Sequence, residues 1–155
     1  MAATIVGTLI VAVVVFLGLL MIGLRWQVGP VLDVIRRMNR TVTNPRVMRT
    51  AGTAATETSV IEHTGRTSGR AYQTPIDVIP TATGVAIALP YGTRSDWVRN
   101  VLAAGRATVV TRGNRVGVER PSIVAIDDVA HVIPKRTMRM LRLFGVTQFL
   151  HLEKS

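Results

Sequence analysis

Arg66-Thr67-Ser68-Gly69-Arg70 is the stretch of this chain best equipped for chemistry. It lies within residues 62–76, EHTGRTSGRAYQTPI, where Gly65 and Gly69 permit a tight turn that exposes backbone N–H groups. Thr67 and Ser68 add hydroxyl donors, and Arg66 and Arg70 add guanidinium forks that match phosphate or carboxylate oxygens. Such a turn between two strands reads as an anion cradle of the backbone-nest kind; a solvated basic hairpin has the same composition. Residues 89–105, LPYGTRSDWVRNVLAAG, are the second informative stretch. There a Pro90-Tyr91-Gly92 loop leads to a helix whose N-terminal amides attract anions. Trp97 and Val101 share one face of that helix, with Asp96 and Asn100 on an adjoining one. The bland reading packs Trp97 into the core and leaves Asn100 to hydrogen-bond a loop. The third feature is a basic stripe of Lys135, Arg136, Arg139 and Arg142, with Met138, Leu141 and Phe144 on another face. It reads as solvated surface or as a face for anionic lipid headgroups.

Other chemistries find little support. His63, His131 and His151 have no spacing that gathers them on one element, so no metal site is expected. Ser68 lacks the nucleophile-elbow pattern. Glu62, Asp77, Asp96, Glu119, Asp127 and Asp128 show no acid/base pairing. The absence of cysteine removes disulfides, thiolate nucleophiles and cysteine-ligated metals. A formal net charge of +10 over 155 residues fits anionic lipid or a phosphorylated cofactor. Aromatics make up 5% of the chain, too few for the stacking platforms of single-stranded nucleic-acid binders, and no nucleic-acid partner is expected.

The elements that must position these residues are mostly strands. Residues 59–64 read as a short strand and 65–69 as a turn; 71–79 alternate as one half-buried strand. Residues 85–89 form an apolar strand. Ser95 reads as an N-cap, with Asp96 offsetting the helix dipole, and the helix runs to about Ala104 before Gly105 stops it. Residues 107–111 and 116–119 form a hairpin around Arg112-Gly113-Asn114, and 121–126 add a strand. A helix over 134–144 stops at Gly145, and 147–152 close as a strand. Antiparallel strands with two or three helices predict a mainly β, α+β domain built as a small barrel.

Ahead of this domain, residues 5–24 read IVGTLIVAVVVFLGLLMIGL without a charge. About twenty residues at about 1.5 Å each cross a hydrocarbon layer of about 30 Å. The run has no preceding basic side chain and no small-x-small cleavage site, so an anchor is preferred to a cleaved signal peptide. Arg25, Arg36, Arg37, Arg40, Arg46 and Arg49 all follow it, which predicts a single pass with the domain in the cytoplasm. Thr4, Thr8 and Ala12 give a weak helix-pairing face. The segments are residues 1–28 as anchor, 29–57 as juxtamembrane helix and linker, and 58–155 as the domain. Within the linker, 31–38 form a short amphipathic helix, Asn44-Pro45 signals a turn, and 51–58 a loop.

The strings HTGRTSGRAYQTP and ALPYGTRSDWVRNVLAAG, in this order, resemble the deazaflavin-dependent nitroreductase family of split β-barrel oxidoreductases. The resemblance extends from about Asn39 to the MRMLRLFGVTQFLHL near the end. It implies a split β-barrel that binds the reduced deazaflavin coenzyme F420 (alternatively FMN). Arg66, Thr67, Ser68, Gly69 and Arg70 would hold its phosphate and polyglutamate tail. Tyr72, Thr74, Pro75 and Ile76 would line the ring; Tyr91, Gly92, Trp97 and Asn100 would close the pocket, with Tyr91 as a proton donor. The implied activity is hydride transfer to an organic acceptor such as a quinone or nitro compound, with menaquinone arriving from the bilayer. A homodimer is usual for such barrels. The alternative is a non-catalytic module holding a flavin-like or small hydrophobic ligand at the membrane.

Overall fold

In the computed structural model, which describes residues 1–26 and 28–155, helix α1 (Ala2–Arg25) precedes helix α2 (Gly29–Met38). The side chains of residues 2–5, 17, 20 and 24 also lie outside what is described, Thr4 of the pairing face among them. Within α1, the 18 residues Val6–Gly23 are long and apolar enough to cross a membrane. Leu9, Val13, Phe16, Leu19 and Ile22 are exposed, so this apolar surface is not spent on the domain core. At the end of α1 the Val28 amide donates to the Gly23 carbonyl at 2.9 Å, and α2 folds back on the helix. Gly23 permits that approach, since an added Cβ would lie 2.7 Å from Val31 Cγ1.

The turn expected at Asn44-Pro45 does not form. A π-helical stretch (Asn39–Thr43) carries α2 on into α3 (Asn44–Val47). Pro45, second in α3, closely follows the π-helical stretch, whose wider winding accommodates its ring and missing N–H. Residues 51–58 are irregular, as composition predicts.

The sheet comprises β1 (Ser59–Thr64), β2 (Ala71–Ile76), β3 (Val78–Pro80), β4 (Gly84–Ala88), β5 (Arg106–Thr111), β6 (Asn114–Ala125) and β7 (Gln148–Lys154). All neighbours are antiparallel in the order β2-β1-β5-β6-β7-β4-β3. The single strand expected over 71–79 is divided at Asp77: residues before it pair with β1, residues after it with β4. Because β2 and β3 are the two edges of the sheet yet only one residue apart, the edges must meet at Asp77. That covalent link curls the sheet into a half-barrel. The fold is therefore the α+β half-barrel with an apolar leading helix that the sequence predicts.

Two expected strands, 116–119 and 121–126, are one bent strand. Between Glu119 and Ser122 the register slips at a bulge, with Arg120 at φ 52° and Pro121 unable to donate a ladder hydrogen bond. The hairpin before it turns through Arg112 and Gly113, both at positive φ, as a two-residue primed turn demands.

Strand alternation sends side chains to two cores. Inside the curl, Ile61, Ile76, Ile87, Val109, Val118, Leu150 and Leu152 meet Val98 and Val101 of helix α4 (Asp96–Ala104). On the other face, Ala86 and Phe149 are covered by Ile126, Val129 and Ile133 together with helix α5 (Lys135–Leu143). A 3-10 turn (Ala130–Val132), unforeseen in sequence, leads into α5. Gly105 ends α4 at φ 70°, as expected. Ser95 occupies the N-cap position without capping: its hydroxyl donates instead to the Gly92 carbonyl at 3.4 Å.

Candidate functional site

β1 and β2 form a hairpin whose inner face carries His63 opposite Tyr72, with Thr74 one step along. The connecting turn is closed by two backbone hydrogen bonds, Gly65 N–H to Arg70 O at 2.8 Å and Gly69 N–H to Gly65 O at 2.9 Å. Gly69 takes the left-handed conformation this requires, at φ 64°. Gly65 is needed for a different reason: a Cβ there would lie 2.5 Å from Ser68 Oγ and 2.7 Å from the Tyr72 ring.

Helix α4 closes the mouth of the curled sheet beside this turn. Asn100, buried there, accepts with one oxygen from the Arg66 backbone N–H at 3.2 Å and from Arg66 Nη1 at 2.9 Å. Its Nδ2 lies 3.3 Å from His63 Nδ1, and His63 Nε2 lies 3.1 Å from Thr74 Oγ1. The protons follow by elimination. Asn100 Oδ1 is committed as acceptor, so Nδ2 donates; His63 Nδ1 must accept, and Nε2 carries the proton and donates to Thr74. A doubly protonated ring would set two donors face to face. Burial also holds the His63 pKa below the usual histidine value. The Tyr72 ring stacks on His63 at 5.9 Å between centroids and 19° between planes, and its hydroxyl lies 3.2 Å from Ser68 Oγ. Asp96, one turn before Asn100, accepts from Arg66 Nη2 at 3.1 Å.

This geometry fixes a pH dependence. A histidine held neutral by burial stabilises the fold fully above its unfolded pKa, near 6.5. As pH falls below that value the unfolded state takes up a proton before the folded state does, and stability drops until the lowered folded pKa is passed. The thermal midpoint of the full chain is therefore expected to fall on acidification below about pH 6.5. His63→Gln should flatten that part of the profile.

The structure brings the two sequence stretches together. Arg66 is engaged by Asp96 and Asn100 and acts as a strut between turn and helix. The outward surface of the turn belongs to Thr67, Ser68, Gly69 and Arg70, all exposed. Among the described residues, the Thr67 and Ser68 amides and the Arg70 guanidinium have no hydrogen-bond partner. Tyr72 and Thr74 share the inner face, whereas Pro75 pairs with Val60 and falls on the opposite face by alternation. Ile76 and Trp97 pack in or against the inner core. Gly92, at φ 69°, turns the loop ahead of α4.

Tyr91 belongs to a different contact, with its carbonyl accepting from Arg36 Nη1 at 3.0 Å and its hydroxyl from Asn39 Nδ2 at 2.9 Å. Thus α2 and the π-helical stretch after it grip the loop that leads to α4. Sequence reasoning missed His63, Asp96, Arg36 and Asn39 as parts of this assembly. For His63 the signal was available: it precedes the turn by two residues and alternates in phase with Ile61. On the outer face the in-between residue, Glu62, pairs with Gln73 and Arg115.

No family model and no curated protein matches the chain by sequence. Among solved structures, a chain described as a domain-swapped dimer superposes with a TM-score of 0.51 at 14% identity. That alignment covers 78% of this chain and 98% of the other. A protein of unknown function from Agrobacterium tumefaciens strain C58 gives 0.46 at 16% identity over 70% of this chain. The chain spans about half, 54%, of that protein's length. The likeness is one of fold: a curled sheet compatible with a split barrel.

Proposed function

We propose that the chain is a membrane-anchored oxidoreductase of the deazaflavin-dependent split-barrel type, in which α1 spans the bilayer. It passes hydride from reduced coenzyme F420 to an organic acceptor such as a quinone or nitro compound. The observation that carries this reading is the double hold of Asn100 on Arg66. It joins the glycine turn and the α4 stretch, 34 residues apart in sequence, into one polar assembly at the mouth of the half-barrel.

The donor set suits the group. An anionic phosphate and polyglutamate tail would meet the Thr67 and Ser68 amides, their hydroxyls and the exposed Arg70, charge-assisted contacts of the strong kind. A flat ring would meet Tyr72, 44% exposed and backed by His63. The coenzyme, when bound, supplies the hydride; the protein supplies orientation and exclusion of water. Tyr72 gives a stacking surface whose tilt is set by His63, and His63 is in turn set by Thr74 and Asn100. Arg66 keeps the turn closed against α4 so that the donors of residues 67–70 stay convergent. Tyr91, fixed by Asn39 and Arg36, links this loop to the helix that follows the membrane segment. An anchored domain has ready access to lipophilic acceptors, and menaquinone is the natural class. The arginines that follow α1 support a cytoplasmic side for the domain. A second copy of the chain can complete the exposed edge strand β2 in a homodimer.

Fluorescence titration of the full chain in liposomes tests the assignment. Arg70→Ala should weaken coenzyme F420 about tenfold, one lost charge-assisted contact of about 1.5 kcal/mol, and change FMN binding little. Arg66→Ala should weaken both, because it loosens the turn itself. Equal, small effects of both substitutions on both ligands would remove the turn from the site. Tight binding with no acceptor-dependent turnover would leave a carrier of flavin-like ligands instead.

A further inference from the structure

Helix α5 has an inner face of Met138, Leu141 and Phe144, packed on the second core. Its outer face carries Lys135, Arg136, Arg139 and Arg142, but also Met140 and Leu143, which are 53% and 61% exposed. Met140 and Leu143 are three residues apart, hence neighbours on the helix surface, and Arg136 and Arg139 flank them. An exposed leucine alone means little. Here its place in the fold matters. Gly145, just past α5, is packed so closely on the end of α1 that a Cβ would lie 2.5 Å from the Arg25 carbonyl oxygen. Two residues of chain reach at most about 7 Å, so Leu143 is held beside the point where α1 ends.

If α1 crosses the bilayer, that point is the level at which the chain leaves hydrocarbon. We propose that the outer face of α5 is a docking surface for anionic phospholipid. Met140 and Leu143 enter the acyl boundary, and Lys135, Arg136 and Arg139 meet headgroup phosphates. Arg142 contributes less, since Asp127 lies 3.8 Å away. Lys135, Arg136 and Arg139 have no acidic partner among the described residues. The arrangement holds the domain against the membrane through two attachments, α1 and α5. This inference rests on the spanning of α1 and is independent of the coenzyme.

The chain has no cysteine, so single cysteines carry a fluorescent label without ambiguity. Full-length Leu143→Cys, Met140→Cys, Val14→Cys and Asn114→Cys are labelled and reconstituted in vesicles of phosphatidylcholine with or without phosphatidylglycerol. Spin-labelled lipids should quench the labels at 140 and 143 at shallow depth, and more strongly with phosphatidylglycerol present. They should quench the label at 14 at greater depth and leave the hairpin label at 114 untouched. Adding Arg136→Gln and Arg139→Gln should lower the docked-to-undocked ratio at 143 about 25-fold, about fivefold for each arginine. Labels at 140 and 143 that respond only to aqueous iodide, while the label at 14 is quenched by lipid, overturn the proposal. An unquenched label at 14 overturns it together with the span. Quenching of the 143 label only by a second labelled copy would make the face a dimer contact and overturn it as well.

Discussion

Asn100→Ala is expected to lower stability by about 2–3 kcal/mol and, on the proposed function, to abolish measurable coenzyme binding at concentrations that saturate the parent chain. The buried amide serves three partners at once: the Arg66 backbone, the Arg66 guanidinium and His63 Nδ1. Alanine leaves a buried imidazole nitrogen and a turn amide unpaired, and each carries its own desolvation penalty. Asp96 still holds Arg66, so the turn should loosen without unfolding. Asn100→Asp separates the two functions of the side chain. It keeps the acceptor for Arg66 but loses the donor to His63, so the imidazole is driven to protonate and its pKa should rise. Unfolding followed by Trp97 fluorescence, with the His63 ring read by NMR, checks both arms. A loss confined to within about 0.5 kcal/mol for alanine would show that the three contacts do not act together.

Gly84→Ala is expected to be the most damaging small substitution in the domain. A Cβ at this position would lie 2.0 Å from the Leu152 carbonyl oxygen, 2.8 Å from Glu153 Cα and 2.9 Å from the Lys154 nitrogen. All three are backbone atoms of β7, so no rotamer relieves the clash and the β4–β7 ladder must spread. That ladder aligns Val85 with Leu152 and Ile87 with Leu150, core residues on both sides. Overpacking of this kind costs about 3 kcal/mol or more, a large share of the about 5–15 kcal/mol that a domain has. Gly117→Ala is the control. It too sits in a strand, but its Cβ would meet only the terminal Ser155 side chain at 3.2 Å. Thermal melts should show a large drop for Gly84→Ala and a small one for Gly117→Ala; equal drops would contradict the packing described.

Much of this was legible from local pattern. The apolar leading helix, α4, α5, β1, a hairpin turning near Arg112-Gly113 and the glycine stop at 105 follow from hydrophobic period and turn chemistry, although Asn114, expected in the turn, pairs with Thr111 in the strand. What failed had non-local causes. Residues 71–79 alternate without a break, and only the pairing of the two ends with opposite edges of the sheet divides them at Asp77. The strand bent at Arg120-Pro121 looked like two, because a proline at a bulge and a proline at a turn look alike in sequence. In the candidate site, the turn and α4 that the sequence singles out lie side by side, and Arg66 is held between them by Asn100 and Asp96. Composition reveals that an arginine can grip an anion; it does not reveal that Asp96 and Asn100 reach it first. In sequence His63 is an isolated histidine, and its role appears only when Asn100 and Thr74 fold onto its two nitrogens.

On the proposed function, the glycine turn and α4 together seat a redox coenzyme within reach of a membrane-borne acceptor. Full-length protein in liposomes loaded with a menaquinone analogue should oxidise reduced coenzyme F420, followed by the return of its fluorescence, and Asn100→Ala should reduce that rate to background. Oxidation no faster than in protein-free liposomes, with the chain folded and inserted, would overturn the proposed function.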